Sequence, residues 1–127
     1  MVAVGICLVL DHLKVLKMTY NISAYRKIYT NITSSTYDIS PKTPSGSVFI
    51  AESSSNSVTF NLPSVADIPI GTRLHFKRST GINNVILDPA GTEQIDQFTT
   101  RSLAASNWAF TIVSNGSQWF IISFGLS

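Results

Sequence analysis

Apolar and polar residues alternate along much of the chain from Ser47 onward, and turn-forming residues interrupt the alternation at short intervals. In the segment SVTFNL every second side chain is apolar, and in TRLHFKR the apolar residues Leu74 and Phe76 alternate with basic ones. A period of two residues is typical of a strand with one buried face. The intervening segments are rich in Pro, Gly, Asn and Asp, which favour turns. The pattern therefore predicts an all-β domain over residues 47–127.

The connections between the predicted strands are too short for the helical crossovers that usually join parallel strands. We therefore expect antiparallel strands in a β-sandwich or a small barrel. Residues 1–46 form a different region, in which an apolar N-terminal segment precedes a polar, tyrosine-containing extended arm. Pro41, Pro44 and Gly46 mark the boundary between this arm and the β domain.

The apolar N-terminal segment, MVAVGICLVLDHLKVLKM, allows more than one interpretation. Its uninterrupted apolar run is too short to span a membrane, and it lacks the basic region and the cleavage site of a signal peptide. One interpretation is a helix or strand that packs in an assembly, because apolar residues recur at coiled-coil spacing: Val2, Ile6, Val9, Leu13, Leu16 and Tyr20. The other is that translation starts at Met18, so that the segment is missing from the mature protein.

The segment WAFTIVSNGSQWFIISF, near the C-terminal end, contains the clearest turn signal. Asn115-Gly116 between two apolar runs predicts a two-residue hairpin turn, in which both central residues have positive φ. The resulting register pairs Ile112 with Trp119 and leaves both faces of the hairpin apolar. One face carries Trp108, Phe110, Ile112, Trp119 and Ile121, and the other carries Ala109, Thr111, Val113, Phe120, Ile122 and Phe124.

If the sheet that contains this hairpin is covered on one side only, one of the two apolar faces is exposed to water. Exposed apolar patches of this kind mark interfaces. We therefore expect one face to build the core of the protomer and the other to contact a second copy. The residues predicted to lie in the core or at the oligomer interface are Trp108, Phe110, Ile112, Trp119, Phe120, Ile121, Ile122 and Phe124.

The composition favours some classes of protein over others. Charged residues make up 13% of the chain and the net charge is +2, whereas about a quarter of the residues of a typical soluble domain are charged. This balance suits a β-rich, assembly-forming protein and does not predict nucleic-acid binding. The single cysteine, Cys7, excludes an internal disulfide bond and a metal site built from cysteines alone.

A row of basic residues is a candidate ligand-binding feature. Arg73, His75 and Lys77 are two residues apart and so share one face of a predicted strand, and Arg78 follows directly. Such a strip is suited to a phosphate, a sulfated glycan or an acidic lipid. The alternative is a solvated outer strand whose charges discourage edge pairing.

Residues suited to catalysis are few. The two histidines, His12 and His75, do not lie in a nucleophile motif, so we predict no catalytic residue, no cofactor and no enzymatic activity. Asp88, Glu93 and Asp96 are close in sequence and carry the oxygen ligands that hard cations prefer. They lack calcium-loop spacing and their positions suit turns, so we predict no metal site.

The two tryptophans, Trp108 and Trp119, have the side chains that stack on sugar rings. Their neighbours are apolar, and this favours burial in the core or at an interface. A carbohydrate-binding module that uses exposed aromatic residues is therefore the alternative function.

Several short signals follow one another in a fixed order over about Ser57–Ser123. They are Leu62-Pro63, Gly71, Pro89 with Gly91, Ile95-Asp96, and Ser114 to Gly116 with Trp119. In this order they resemble a small β-module of phage tail fibres and other virion surface proteins, and they fit a virion protein of a large DNA virus equally well. The resemblance implies a homotrimer that acts as a structural or surface module of a virion, such as a fibre or spike head used for attachment. It also implies other virion proteins or host surface glycans as partners.

Overall fold

The computed structural model describes residues 26–125, which form two packed β-sheets without an α-helix. The all-β prediction is confirmed, and the predictions about the apolar N-terminal segment lie outside the described residues. A short 3-10 helix covers Val65–Asp67. The strands are β1 (Ile28–Ile32), β2 (Thr36–Asp38), β3 (Ser47–Ala51), β4 (Val58–Asn61), β5 (Arg73–Arg78), β6 (Val85–Asp88), β7 (Arg101–Leu103), β8 (Ala109–Ser114) and β9 (Trp119–Gly125).

The first six strands alternate between the two sheets. One sheet has the order β1-β3-β5-β8-β9 and the other has the order β2-β4-β6-β7. Within each sheet these first six strands pair in parallel, while β5–β8, β6–β7 and β8–β9 are antiparallel. The predicted antiparallel pairing therefore holds for three of the seven pairs only. The chain returns to each sheet through a strand of the opposite sheet, so a parallel crossover needs no helix.

The β structure begins before residue 47. Strands β1 and β2 lie within the segment predicted to be an extended arm, and each forms the outermost strand of its sheet. Both pair in parallel with the next strand of that sheet. The described part of the arm therefore supplies one edge strand to each sheet of the sandwich.

Aromatic residues in register build the centre of the core. Tyr29, Phe49 and Phe76 occupy successive positions across the five-stranded sheet, and their rings are stacked with centroids 4.7 Å and 5.4 Å apart. From the opposite sheet, Phe60 packs against both Phe49 and Phe76, with ring centroids 5.8 Å and 5.1 Å away. Tyr37 in turn packs edge-on against Phe60. Contacts of this kind add to the stabilisation from burial alone.

The C-terminal hairpin has a four-residue loop rather than the predicted two-residue turn. Ser114 pairs with Trp119, and the backbone N–H of Asn115 donates to the carbonyl of Gln118. Gly116 has a φ of +94° whereas Asn115 is not among the residues with positive φ, so the two-residue turn cannot form here. The predicted Ile112–Trp119 pairing is wrong by two residues, but a shift of two keeps each side chain on its face.

Candidate functional site

The inward face of the hairpin belongs to the protomer core. Phe110, Ile112 and Trp119 are almost completely buried, and Trp108 and Ile121 are half-buried and pack against the core. These five residues are the set that the sequence placed on one face. Their role is therefore structural, because the hairpin closes one end of the sandwich.

Three large apolar side chains remain exposed on β9, the last strand of the five-stranded sheet. Phe120 is 38% exposed, Ile122 48% and Phe124 51%, and we call these three residues the β9 patch. An apolar strand at a sheet edge is a template for pairing with another chain unless it is covered. The β9 patch is thus the part of the predicted interface that is available for contact.

The outer edge of β9 is paired over its first half only. Backbone groups of Gln94 and Asp96 bond to the backbone of Trp119, and the Asp96 carboxylate accepts a hydrogen bond from the N–H of Ile121 at 3.1 Å. Beyond Ile121, no strand in residues 26–125 pairs with this outer edge of β9, while β8 pairs with the other edge as far as Gly125. The second half of β9 therefore presents both free backbone groups and apolar side chains.

An extra residue in β9 changes the direction of Phe124. Ile121 pairs with Ile112 and Ser123 pairs with Thr111, so Ile122 has no partner and forms a bulge. After the bulge, Phe124 faces inward like Phe110, and not to the opposite face as predicted. Phe124 is 51% exposed, so this inward position is only partly covered.

Three of the four residues of the predicted basic strip share one face of β5. Leu74 and Phe76 point into the core, so Arg73, His75 and Lys77 lie on the outer face of the five-stranded sheet. Arg73 is exposed and the other two are half-buried. His75 Nδ1 is 2.8 Å from the hydroxyl oxygen of Thr111, and this contact orients the imidazole ring.

Arg78 is not part of the strip, contrary to the prediction. It is at an inward position of β5 and only 3% exposed. Its guanidinium group donates to the carbonyl oxygen of Leu103 at 3.1 Å and to that of Gly81 at 2.7 Å. Arg78 therefore joins β5 to β7 of the opposite sheet and to the loop that follows β5. From here the term basic strip means Arg73, His75 and Lys77.

The acidic residues near one another in sequence have separate structural contacts. Glu93 accepts hydrogen bonds from the N–H of Val65 at 3.1 Å and from the Ser64 hydroxyl at 2.8 Å, at the start of the 3-10 helix. Asp96 is 3.5 Å from Arg101. Residues 26–125 contain no group of three or more His, Cys, Asp or Glu side chains placed to hold a metal ion.

Two features of the outer surfaces were missed in the sequence. On the four-stranded sheet, Asp38, Asn61 and Asp88 are in register across three strands, and Asn61 Nδ2 donates to Asp38 Oδ1 at 2.7 Å. At the β1–β2 end, Tyr29 and Tyr37 line an open pocket of about 410 Å³. Only the parallel pairing of distant segments brings Asp38, Asn61 and Asp88 together, so a local sequence pattern gives no signal for that row.

Neither protein-family models nor curated proteins provide a relative for this chain. No protein-family model matches it, and no curated protein matches it significantly. In the described range, 26–125, no helix is long and apolar enough to cross a membrane. Function is therefore inferred from the surfaces themselves.

Proposed function

We propose that the chain is a non-enzymatic structural module of a virion surface, which assembles as a homotrimer and presents a rigid β-sandwich head for attachment. The observation that carries this proposal is the β9 patch, with three large apolar side chains exposed on one edge strand. The number of subunits and the virion setting come from the resemblance in the sequence.

Covering the β9 patch explains why the chain would assemble. Ile122 lies where the pairing on the outer edge of β9 has ended, and Phe120 and Phe124 are exposed two residues to either side of it. A neighbouring copy that packs there removes apolar surface from water and pairs an open edge. Closed rotational symmetry gives every copy the same contact, so no copy is left with an uncovered β9 patch.

The interior supports a rigid head. The stacked rings of Tyr29, Phe49 and Phe76 run across three parallel strands, and ring packing of this kind holds neighbouring strands in one register. A surface module that must present a fixed face benefits from such a core. The small share of charged residues also suits a protein that is covered by copies of itself.

The carbohydrate-binding alternative has less support. Trp119 is completely buried, so it cannot stack on a sugar ring. Trp108 is half-buried, and its ring packs edge-on against Phe124 with centroids 5.2 Å apart. A sugar platform would therefore consist of part of Trp108 and the face of Phe124.

The mass of the full chain in solution tests the proposal. Light scattering coupled to size exclusion should give three times the chain mass for the wild-type protein. The double substitution Phe120→Ser with Ile122→Ser should give a smaller species, because it removes the apolar contact while leaving the core intact.

Ile82→Ser is the matched control, because Ile82 is 88% exposed in a loop away from β9. This variant should remain trimeric. A monomeric wild-type protein, or a trimer that is unchanged by the double substitution, would contradict the proposed assembly surface. In the monomeric case, binding of neutral oligosaccharides would be the next measurement.

A further inference from the structure

We propose that the basic strip binds a sulfated polysaccharide that lies along β5. This inference rests on the proposed attachment function and gives it a ligand class and a surface. The ligand would contact Arg73, His75 and Lys77 on the outer face of the five-stranded sheet.

The spacing of the strip suits a linear, repeatedly charged ligand. Side chains two residues apart on a strand are roughly 7 Å apart, so the strip extends over roughly 14 Å. Strand β5 is the central strand of its sheet. The basic side chains are longer than most of their neighbours on this face, because the outward residues of the two flanking strands are neutral and mostly short. These outward residues are Val48, Ile50, Ala109, Thr111 and Val113.

The positive charge of the strip is not neutralised within the described part of the chain. No strand of this sheet contains Asp or Glu, and the one ion pair in residues 26–125 is Asp96–Arg101. The nearest acid along β3, Glu52, accepts hydrogen bonds from the backbone and hydroxyl of Ser54. The strip is therefore free to bind an external anion.

Charge is also segregated between the two faces of the sandwich. The four-stranded sheet carries Asp38 and Asp88 on its outer face, in register with Asn61 between them. A polyanion is repelled from that face and attracted to the opposite one. This arrangement fixes which face of the head meets an anionic ligand.

The surroundings of the strip favour a polysaccharide over nucleic acid. Single-stranded nucleic acids are usually held by aromatic side chains that stack on bases beside the basic groups. The two strands next to β5 place no aromatic residue on this face. A ligand held by its charged groups alone, such as a chain of sulfated sugars, matches the residues present.

The test is the affinity of the full-length protein for a heparin-derived octasaccharide, measured by calorimetry at fixed salt. Substitution of Arg73→Ser with Lys77→Ser should weaken binding about tenfold, as expected for the loss of two charge contacts at the surface. The desulfated octasaccharide should not bind. The control, Lys27→Ser with Lys42→Ser, removes the same charge beside a pocket of about 300 Å³ elsewhere and should bind like wild type.

Equal weakening by the two double substitutions would overturn the inference, because the attraction would then come from total charge. Tighter binding of a single-stranded oligonucleotide or of phosphatidylserine vesicles, with the same dependence on Arg73 and Lys77, would also overturn it. The mass is measured on the same samples. A trimer that does not bind the octasaccharide contradicts this inference alone, and a monomer that binds it contradicts the proposed assembly alone.

Discussion

Phe124 and Phe110 face the same side of the sheet and pack at an angle of 63°, with ring centroids 5.0 Å apart. They do so because β9 contains one more residue than β8 across the bulge at Ile122. Bulges are common at sheet edges and next to functional surfaces, where they redirect a side chain. Here the bulge brings Phe124 over Trp108 and leaves Ile122 projecting outward.

Phe124→Ala tests this arrangement through the fluorescence of Trp108. Loss of the Phe124 ring removes a direct contact of Trp108, so the emission should shift to longer wavelength as water reaches the indole. Trp119 is completely buried away from this change and should contribute a constant signal.

Phe120→Ala is the control, because Phe120 lies on the opposite face of β9. It should leave the emission of Trp108 unchanged. The effect of Phe124→Ala should also disappear in a Trp108→Phe background. An equal shift from both alanine substitutions would show that Phe124 does not face Trp108.

Up to the bulge at Ile122 the faces of the hairpin could be predicted from the sequence, but its register could not. Alternation alone assigns Phe110, Ile112 and Trp119 to one face, and this assignment is unchanged by a shift of two residues. The turn depends on a side chain instead. Asn115 Oδ1 accepts hydrogen bonds from the N–H groups of Ser117 and Gln118, which stabilise a longer loop than the Asn-Gly pair suggests.

The parallel pairing of the strands could not be predicted from the sequence, for a different reason. Partner strands such as β3 and β5 are separated by a complete strand of the other sheet, and no local pattern encodes a partner at that distance. Arg78 shows the same limit. Strict alternation along β5 would have placed it inward, but its charge argued for the surface. One carbonyl group that accepts its hydrogen bonds belongs to Leu103, on a distant strand of the opposite sheet.

Two substitutions of the buried Arg78 should lower the free energy of unfolding by different amounts. Arg78→Lys keeps a buried charge that cannot reach both carbonyl oxygens, so it should lower the free energy of unfolding by about 3 kcal/mol. Arg78→Met removes the charge and loses the two hydrogen bonds, which should cost about 1–2 kcal/mol. Urea unfolding of both variants measures the difference.

Arg73→Lys is the control for the two substitutions of Arg78. Arg73 is exposed, so this change should alter the free energy of unfolding by less than about 0.5 kcal/mol. If Arg78→Lys were as stable as the wild-type protein, the two carbonyl contacts would not contribute to stability.

Glu93→Gln should weaken the start of the 3-10 helix. The Glu93 carboxylate accepts hydrogen bonds from Val65 and Ser64, and a neutral amide is a poorer acceptor. We expect a loss of about 1 kcal/mol in the free energy of unfolding, measured in urea. Asp67→Asn, an exposed change in the same helix, should have little effect. Equal losses from both would indicate a general charge effect.

Tyr37 should make the stability of the fold depend on pH in the alkaline range. Burial, and secondarily the nearby Tyr29, raises the pKa of Tyr37 above its ordinary value near 10. The unfolded chain therefore loses this proton at a lower pH than the folded chain. The contribution of Tyr37 to stability is complete below pH about 10 and is lost as the pH rises through the folded-state pKa.

Tyr37→Phe isolates this effect, because it keeps the ring that packs edge-on against Phe60 and Phe49 while removing the ionisable group. Guanidinium unfolding of both proteins from pH 7 to pH 11 gives the comparison. The difference in unfolding free energy should be constant up to about pH 9, and above about pH 10 the wild-type protein should lose stability relative to Tyr37→Phe. A difference that stays constant to pH 11 would mean that the hydroxyl group is as well solvated in the folded chain as in the unfolded one, and the β1–β2 end of the sandwich would then be more open than its packing indicates.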